Sequence, residues 1–581
     1  MTVPAVGQRE WQQPEEAPPP AVLAPAPAET ATDPRGDQGR RLDAVFWAGV
    51  VASTLLLIWS TLSTTIDRVD EGVLSMARLL PPTYWAGFAL LLASTILWYF
   101  RGETKAFHFL LVALWIGYLF LGPGLMEAHP RGFSSYGHAL GVGYVLEGRE
   151  REFFYFPWLG FHHAFAMLVE LTDIGYLAMI RVGLLVMYLT LAVGFICFFG
   201  RVLPDKKSVL LATLVALAMF AAPGGISLTP HTMAFGLMLF GFSFLASLDA
   251  SPVVNRLVLI GIFCAILITH GLTALIVAYV AGMTALTRWK PSAVGRWSPS
   301  TASLALLFAT LFVAWLMYST DFWFPNAVRA FRDTVLREPV AFTSPFNHVS
   351  PARGGGRAEV SLLIFAFLAV LLAWLVSVVA RRGFWNGLRR DRLFPLLVVS
   401  GMPVLIMGTG SFTYEGLMRV FFFAIPFLAW FLARESVARR SAAAFLVLLL
   451  CLDSVLLYTR EFEELPTSQQ FAGANFLVDV ADPNASVIQG DCLTLGSLTN
   501  TIDAPYVVCP VPQPKDPQLE LAPRPGDFTF IVLSEFGERT ATFAFGKPWW
   551  ESLRNSVQGE GFAKFYSNGR YDVFTRQSPS R

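Results

Sequence analysis

The residues of this 581-residue chain whose types and spacing could do chemistry fall in a few short segments. The first holds Glu127, His129 and Arg131, followed by Ser134-Ser135-Tyr136-Gly137-His138. A carboxylate here suits a general base that takes a proton from a hydroxyl, and an imidazole could assist it or bind a metal. A solvated loop start is the plainer reading of the same residues. The second segment, 153–175, is aromatic and carries His162-His163 and Glu170. Neighbouring histidines project to different sides of a helix, which argues against joint metal ligation. An aromatic anchor at a membrane interface accounts for this stretch equally simply.

Three shorter segments complete the set. Ser227-Leu228-Thr229-Pro230-His231-Thr232 opens an apolar run, and the free amides of a helix start attract phosphate oxygens. His270 falls between two apolar runs, where a packing histidine and a functional one are both open. Tyr414, Glu415 and Arg419 begin another run. Glu415 and Arg419 are four apart and could simply pair, yet Arg419 lies a full turn inside apolar sequence. A guanidinium there is suited to hold a phosphate bidentately. The segment 320–358 adds Arg337-Glu338, Asn347-His348 and Arg353 before Gly354-Gly355-Gly356-Arg357, a pattern that fits either a flap over a phosphorylated substrate or a plain loop.

The elements that must position these residues are apolar. Hydrophobic residues make up 54% of the chain and charged residues 15%, against roughly 25% in an ordinary globular protein. A soluble protein of this composition would lack the polar groups to cover its surface. The 43 basic and 42 acidic residues give no nucleic-acid signal. Thirteen apolar runs follow one another at about 44–65, 83–100, 106–126, 176–200, 208–222, 231–248, 254–269, 271–287, 302–319, 359–380, 393–409, 416–433 and 441–458. The pair flanking His270 reads as a hairpin or as one re-entrant element. Arg and Lys crowd alternate short loops, such as Lys206-Lys207 and Arg381-Arg382, which predicts a cytoplasmic N-terminus and an outward C-terminus. The long outward loops, 127–175 and 320–358, then carry most of the candidate residues. No G-x-x-x-x-G-K-[ST] loop is present to drive a pump.

Two flanking regions differ from the apolar body. Residues 1–40 are rich in Pro and Ala and read as a disordered cytoplasmic tail. Residues 459–581 read as a small extracytoplasmic α/β domain. FAGANFLVDV is a helical stretch, ASVIQG and DFTFIVLS are strands, and KFYSNGRYDVFT is a hairpin around Asn-Gly. Cys492 and Cys509 could close a loop in an oxidising compartment or remain two thiols. The predicted fold class is therefore an all-α polytopic membrane domain of about thirteen transmembrane helices, residues 41–458, with a C-terminal extracytoplasmic α/β domain.

Several stretches taken together resemble the GT-C superfamily of membrane glycosyltransferases, which use polyprenyl-phosphate-linked sugars. They are SSYGHALGVGYVLEGREREFFYFPWLGFHHAFAM, SLTPHTMAFGLMLFGF, ILITHGLTALIV, SFTYEGLMRVFFFAIPFLAWFLA and KFYSNGRYDVFT, in that order from about 127 to 575. The resemblance implies short helices and an acidic general base in the first long outward loop, and an arginine near the last spans that neutralises the lipid phosphate. That arginine corresponds to Arg419. Related sequences commonly carry Asp a few positions before the Gly-His pair. Here Ser134, Ser135 and Tyr136 precede Gly137-His138, so Glu127 is the nearest upstream carboxylate, with Asp67, Asp70 and Glu71 as substitutes.

On this resemblance Glu127 and His138 are the candidate catalytic residues. Arg419, His231, His270, Arg337 and Arg353 are the candidates for binding substrate phosphate, and Tyr414 and Glu415 support them. The implied partners are a polyprenyl-phosphate-linked sugar, an envelope glycan, lipid or protein acceptor, and membrane lipids, with no nucleic acid. The implied setting is a bacterial inner membrane. Some members require a divalent cation; no Asp-x-Asp stands in either long outward loop, and no cofactor is assigned. Two other function classes remain open: a transporter of lipid-linked precursors, and a non-catalytic assembly subunit. No internal repeat of the kind transporters show was found.

Overall fold

In the computed structural model, the described residues are 34–67, 75–101, 107–130, 132–150, 159–224, 227–248, 252–288, 299–318, 355–380, 390–407, 414–435, 439–457, 467–481, 486–489, 506–508, 530–534 and 562–576, with short pieces at 538, 550–551, 554–555 and 557. Arg131, Asp70, Glu71, Arg337, Arg353, Cys492 and Cys509 lie outside them, as do the side chains of Ser134, Tyr414 and Glu415. Residues 1–48 and 49–581 form two separate compact units.

Each of the thirteen apolar runs falls on helix. α1 spans Pro34–Ser63, α2 Ser75–Leu79, α3 Pro82–Arg101, α4 Phe107–Ile116 and α5 Gly122–Met126. α6 is Phe133–Leu146 and α7 Leu159–Thr172, both within the predicted loop 127–175. Then come α8 Tyr176–Val202, α9 Lys206–Gly224, α10 Pro230–Ala246, α11 Pro252–Thr269, α12 Gly271–Arg288 and α13 Pro299–Tyr318. α14 is Gly355–Val379, α15 Arg390–Met407, α16 Tyr414–Glu435 and α17 Arg439–Leu457. Among the described residues, six helices are long and apolar enough to cross a membrane, including Leu42–Ser63, Tyr176–Val202 and Leu362–Val379. Large aliphatic side chains stand exposed along them, such as Leu306 and Met317 on α13 and Leu362 and Leu372 on α14. Such surface has no place in water and belongs against hydrocarbon. The chain is a multi-pass membrane protein.

The approach to the first candidate segment is irregular for a local reason. Pro123 has no N–H to donate and its ring clashes with the carbonyl four residues back. Between α4 and α5 the chain therefore widens into a π turn, Gly117–Leu121, in which the Gly122 N–H reaches the Gly117 carbonyl. The turn buries Tyr118, whose hydroxyl donates to the Ser53 carbonyl at 2.7 Å. Widened turns of this kind occur often beside functional sites. α11 and α12 are separated by one residue. The His270 N–H still donates to Ile266, while its carbonyl already accepts from Ala274 at 3.2 Å. His270 thus ends one helix and caps the next.

The C-terminal part is α/β. α18, Ser468–Val480, precedes a five-stranded sheet of β1 Ser486–Gln489, β2 Tyr506–Val508, β3 Phe530–Ser534, β4 Phe562–Ser567 and β5 Tyr571–Arg576. The strand order is β2-β1-β3-β5-β4. β1 pairs parallel with β2 and β3, and β5 antiparallel with β3 and β4. Val487, Ile531, Val532 and Val573 are fully buried within it. The hairpin turns at Asn568-Gly569, where Gly569 has φ +89°, a conformation that favours glycine. α18 lies so close to β5 that a Cβ on Gly473 would stand 2.1 Å from the Tyr571 ring.

Candidate functional site

α6 carries His138, a predicted site residue, and its two faces lead to different places. Two residues along a helix are about 200° apart, so Tyr136 and His138 point away from each other. Ser135 fixes the helix on the membrane domain: its buried hydroxyl accepts from the Leu228 N–H at 2.7 Å, just before α10 begins.

The His138 face meets histidines. His138 Nδ1 is 3.2 Å from Nε2 of His162 on α7. At that distance the two rings share one N–H between them, so one nitrogen donates and the other accepts. Both histidines are buried, whereas His163 is exposed. The charges of His162, His231 and His270 all reach His138. Burial, and after it these three imidazoles, holds the His138 pKa well below the ordinary histidine value. His138 is therefore neutral at pH 7, ready to accept a proton but a weak base until something negative arrives.

His231 and His270 occupy matching places on two helices. His231 is the second residue of α10, behind Pro230, which is pre-set for a first helical position. His270 stands directly before α12. Their ring centroids are 6.0 Å apart. His270 Nδ1 lies 2.8 Å from the Thr273 hydroxyl, and His231 Nε2 lies 3.4 Å from the Thr229 hydroxyl. Arg419, from the second turn of α16, acts electrostatically on both histidines, and Phe422 one turn on packs edge-to-face on His231 at 5.6 Å. Two helix starts and one guanidinium converge here, a combination that attracts an anion through N–H groups, the helix dipoles and a full charge.

The other face of α6 meets the C-terminal domain. Glu127 is 2% exposed and lies within electrostatic reach of Tyr136. Its carbonyl and that of Ala128 both accept from Arg181 Nη2 on α8, at 2.8 Å each. The same strip pairs with Ile66: the Ile66 N–H donates to Met126 at 2.7 Å, and the Ala128 N–H donates to Ile66 at 2.9 Å. His129 stacks on Phe471 of α18 at 4.1 Å, and its Nε2 lies 2.9 Å from the Ser468 hydroxyl. Asp67 Oδ1 accepts from the Ser468 N–H at 2.9 Å, a carboxylate at a helix N-terminus. Asp67 thus holds α18.

Of the predicted site residues, the structure gathers His138, His231, His270 and Arg419 in one place. It places Glu127 within electrostatic reach of Tyr136, whose side chain leaves α6 on the face opposite His138. Arg181 was not read as a candidate, and His162 and Ser135 stood in the candidate segments without an assigned role. His162 was legible, because Phe161, His162, Phe165 and Ala166 form the buried stripe of α7 at helical spacing. Arg181 had no local signal. Among the described residues, no three His, Cys, Asp or Glu side chains are arranged to hold a metal ion.

No family model matches the chain, and no curated protein matches its sequence. Among solved structures, the crystal structure of ArnT from Cupriavidus metallidurans bound to undecaprenyl phosphate is similar. The match has a TM-score of 0.45 and 12% sequence identity, and covers 82% of this chain and 99% of that one. A likeness of that degree carries nothing about substrate or chemistry.

Proposed function

We propose that the chain is a membrane glycosyltransferase of the GT-C type, which moves a sugar from a polyprenyl-phosphate carrier to an envelope glycan, lipid or protein acceptor on the extracytoplasmic face. The observation that carries the reading is the convergence of His231, His270 and Arg419 at two helix starts, with the His138–His162 pair within electrostatic reach. A lipid-linked phosphate needs an anion cradle at the end of a helix bundle, open to acceptors and to lipid. The sequence stretches that resemble the GT-C superfamily include all five of these residues.

In this reading the acceptor hydroxyl attacks the anomeric carbon as the bond to the carrier phosphate breaks. Negative charge grows on the departing phosphate, and Arg419 with the amide ends of α10 and α12 stabilises it. The proton of the hydroxyl passes to His138, with His162 holding the imidazole by the shared hydrogen. Binding and proton transfer are coupled. The phosphate places negative charge among imidazoles that otherwise depress one another, and an opposite charge nearby raises a histidine pKa. His138 thus becomes a useful base when substrate is present. Glu127 then holds the loop rather than the proton.

The test is turnover of a polyprenyl-phosphate-linked sugar by the full chain in nanodiscs, wild type beside Arg419→Ala and Arg419→Lys. The alanine variant is expected to lose about 10²–10³-fold in rate, as removing one charge-stabilising group does elsewhere. The lysine variant should recover only part of that, since it lacks the bidentate fork. Carrier lipid bound by the wild type and lost in Arg419→Ala, with no turnover for any sugar offered, would sink the enzyme reading in favour of a transporter or assembly subunit.

A further inference from the structure

The helices that bring His231, His270 and Arg419 together also meet at their other ends. From His231 to Ala246 α10 rises about 22 Å, at 1.5 Å per residue. At that far end a cavity of ≈ 550 Å³ lies among the last turns of α8, α10, α12 and α16 and the start of α15. Its walls are aromatic, with Phe242, Phe427 and Trp430 among them. The rings brace one another: Phe242 meets Phe427 at 5.5 Å, and Trp430 meets Phe198 edge-on at 6.0 Å and Phe394 at 5.9 Å. A wall so interlocked is already shaped without a ligand.

Two cations line this apolar space, Arg201 from the end of α8 and Arg434 from the end of α16, with the hydroxyl-bearing Thr284 and Thr287 beside them. Among the described residues, no acidic side chain lines it. An apolar chamber with two guanidiniums, at the end of a helix bundle that crosses a membrane, matches an amphiphile with a phosphate head and a hydrocarbon chain. Arginine takes phosphate through two parallel N–H contacts, and aromatic walls take the chain.

We propose that this cavity binds one anionic phospholipid, its phosphate on Arg201 and Arg434 and part of one acyl chain against Phe242, Phe427 and Trp430. The site is separate from the histidine cluster and does not depend on how that cluster is read. The sugar-bearing carrier belongs to the other end. A lipid held here would fasten α8, α10, α12 and α16 to one another at the end opposite the cluster, and so steady the helices that carry His231, His270 and Arg419.

The test is native mass spectrometry of the full chain in detergent, titrated with phosphatidylglycerol or phosphatidylcholine. The wild type is expected to retain one phosphatidylglycerol in preference to phosphatidylcholine, and the double variant Arg201→Gln/Arg434→Gln to lose that preference. Ala246→Phe keeps both charges and fills the cavity, so it should also lose the bound lipid. Each variant is first checked for a single sharp elution peak, and either one that passes is sufficient. Equal retention of the two lipids by the wild type overturns the proposal, and so does a preference that survives in a folded variant. Displacement of the lipid by inorganic phosphate at millimolar concentration would reduce the site to a plain anion site and overturn the lipid assignment.

Discussion

Tyr136 and His138 stand two residues apart on α6, yet one faces a structural seam and the other a group of titratable side chains. On the Tyr136 side every contact is a fastening. Arg181 holds two successive carbonyls, Ile66 pairs with the strip around Glu127, and Asp67 and His129 engage the first residue of α18. On the His138 side four imidazoles and a guanidinium come from α6, α7, α10, the α11–α12 junction and α16. Fastening spends polar groups on one another, whereas the second face gathers imidazoles that, with burial, suppress protonation until an anion arrives. Titratable groups perturbed together in this way mark functional sites, and this is why the chemistry is assigned to that face.

The comparison is broken or upheld most forcefully by exchanging one residue on each face. His138→Gln should lower the rate of sugar transfer by about 10²–10³-fold, within the range that general-base catalysis contributes. Glu127→Gln has nearly the same shape and should leave the rate within about a factor of ten, because the contacts that hold this strip are made by its backbone. The measurement is turnover of both variants side by side. The reverse pattern, with transfer lost in Glu127→Gln and kept in His138→Gln, would exchange the roles of the two faces and put the base at the carboxylate.

The seam can be attacked at Gly473 without touching either set of polar groups. Valine there would drive its Cβ into Tyr571, which is fully buried, and neither backbone can move aside without disturbing β5 or α18. Overpacking of this kind typically costs about 1–3 kcal/mol. The C-terminal domain should unfold earlier and become sensitive to limited proteolysis. The transfer rate should fall less than in His138→Gln, because the histidine cluster draws no residue from α18 or the sheet.

Much of this was legible in the sequence, and the limits have a physical pattern. Apolar length marked the long helices of the membrane domain but not α2, α6 or α7, and turn chemistry marked the Asn568-Gly569 hairpin. Arg419 stood out because a guanidinium inside an apolar run needs a reason. His231 and His270 were marked by their places at helix starts. The sequence could not say that α6 would present His138 to them and turn Tyr136 away, since Gly137 and its neighbours read alike in either rotation. What decides the rotation is the Ser135 hydroxyl taking the Leu228 N–H, a contact across 93 positions. The one-residue separation of α11 and α12 was likewise open between hairpin and re-entrant element, because His270 serves both helices with its own backbone.

A smaller effect separates the two faces by pH. Burial, and then the neighbouring imidazoles, lowers the His138 pKa well below the ordinary 6.5. Burial also lowers that of His129, but there the Asp67 carboxylate pulls upward against it, while Arg181 pushes down. For a histidine with a depressed folded pKa, the unfolded chain takes up a proton that the folded chain refuses. Stability is therefore complete above about pH 6.5 and falls as the pH drops below it, by at most about 1.4 kcal/mol per unit for each group. The loss continues until the folded pKa is reached, and so runs further for His138 than for His129. Thermal unfolding of the empty protein between pH 7 and pH 4.5 should show a slope that His138→Gln flattens more than His129→Gln does. A saturating polyprenyl phosphate should flatten it as well in the wild type, since the anion makes room for the proton on His138. A slope unchanged by His138→Gln would mean that the four histidines do not oppose one another, and the contrast between the two faces would rest on geometry only.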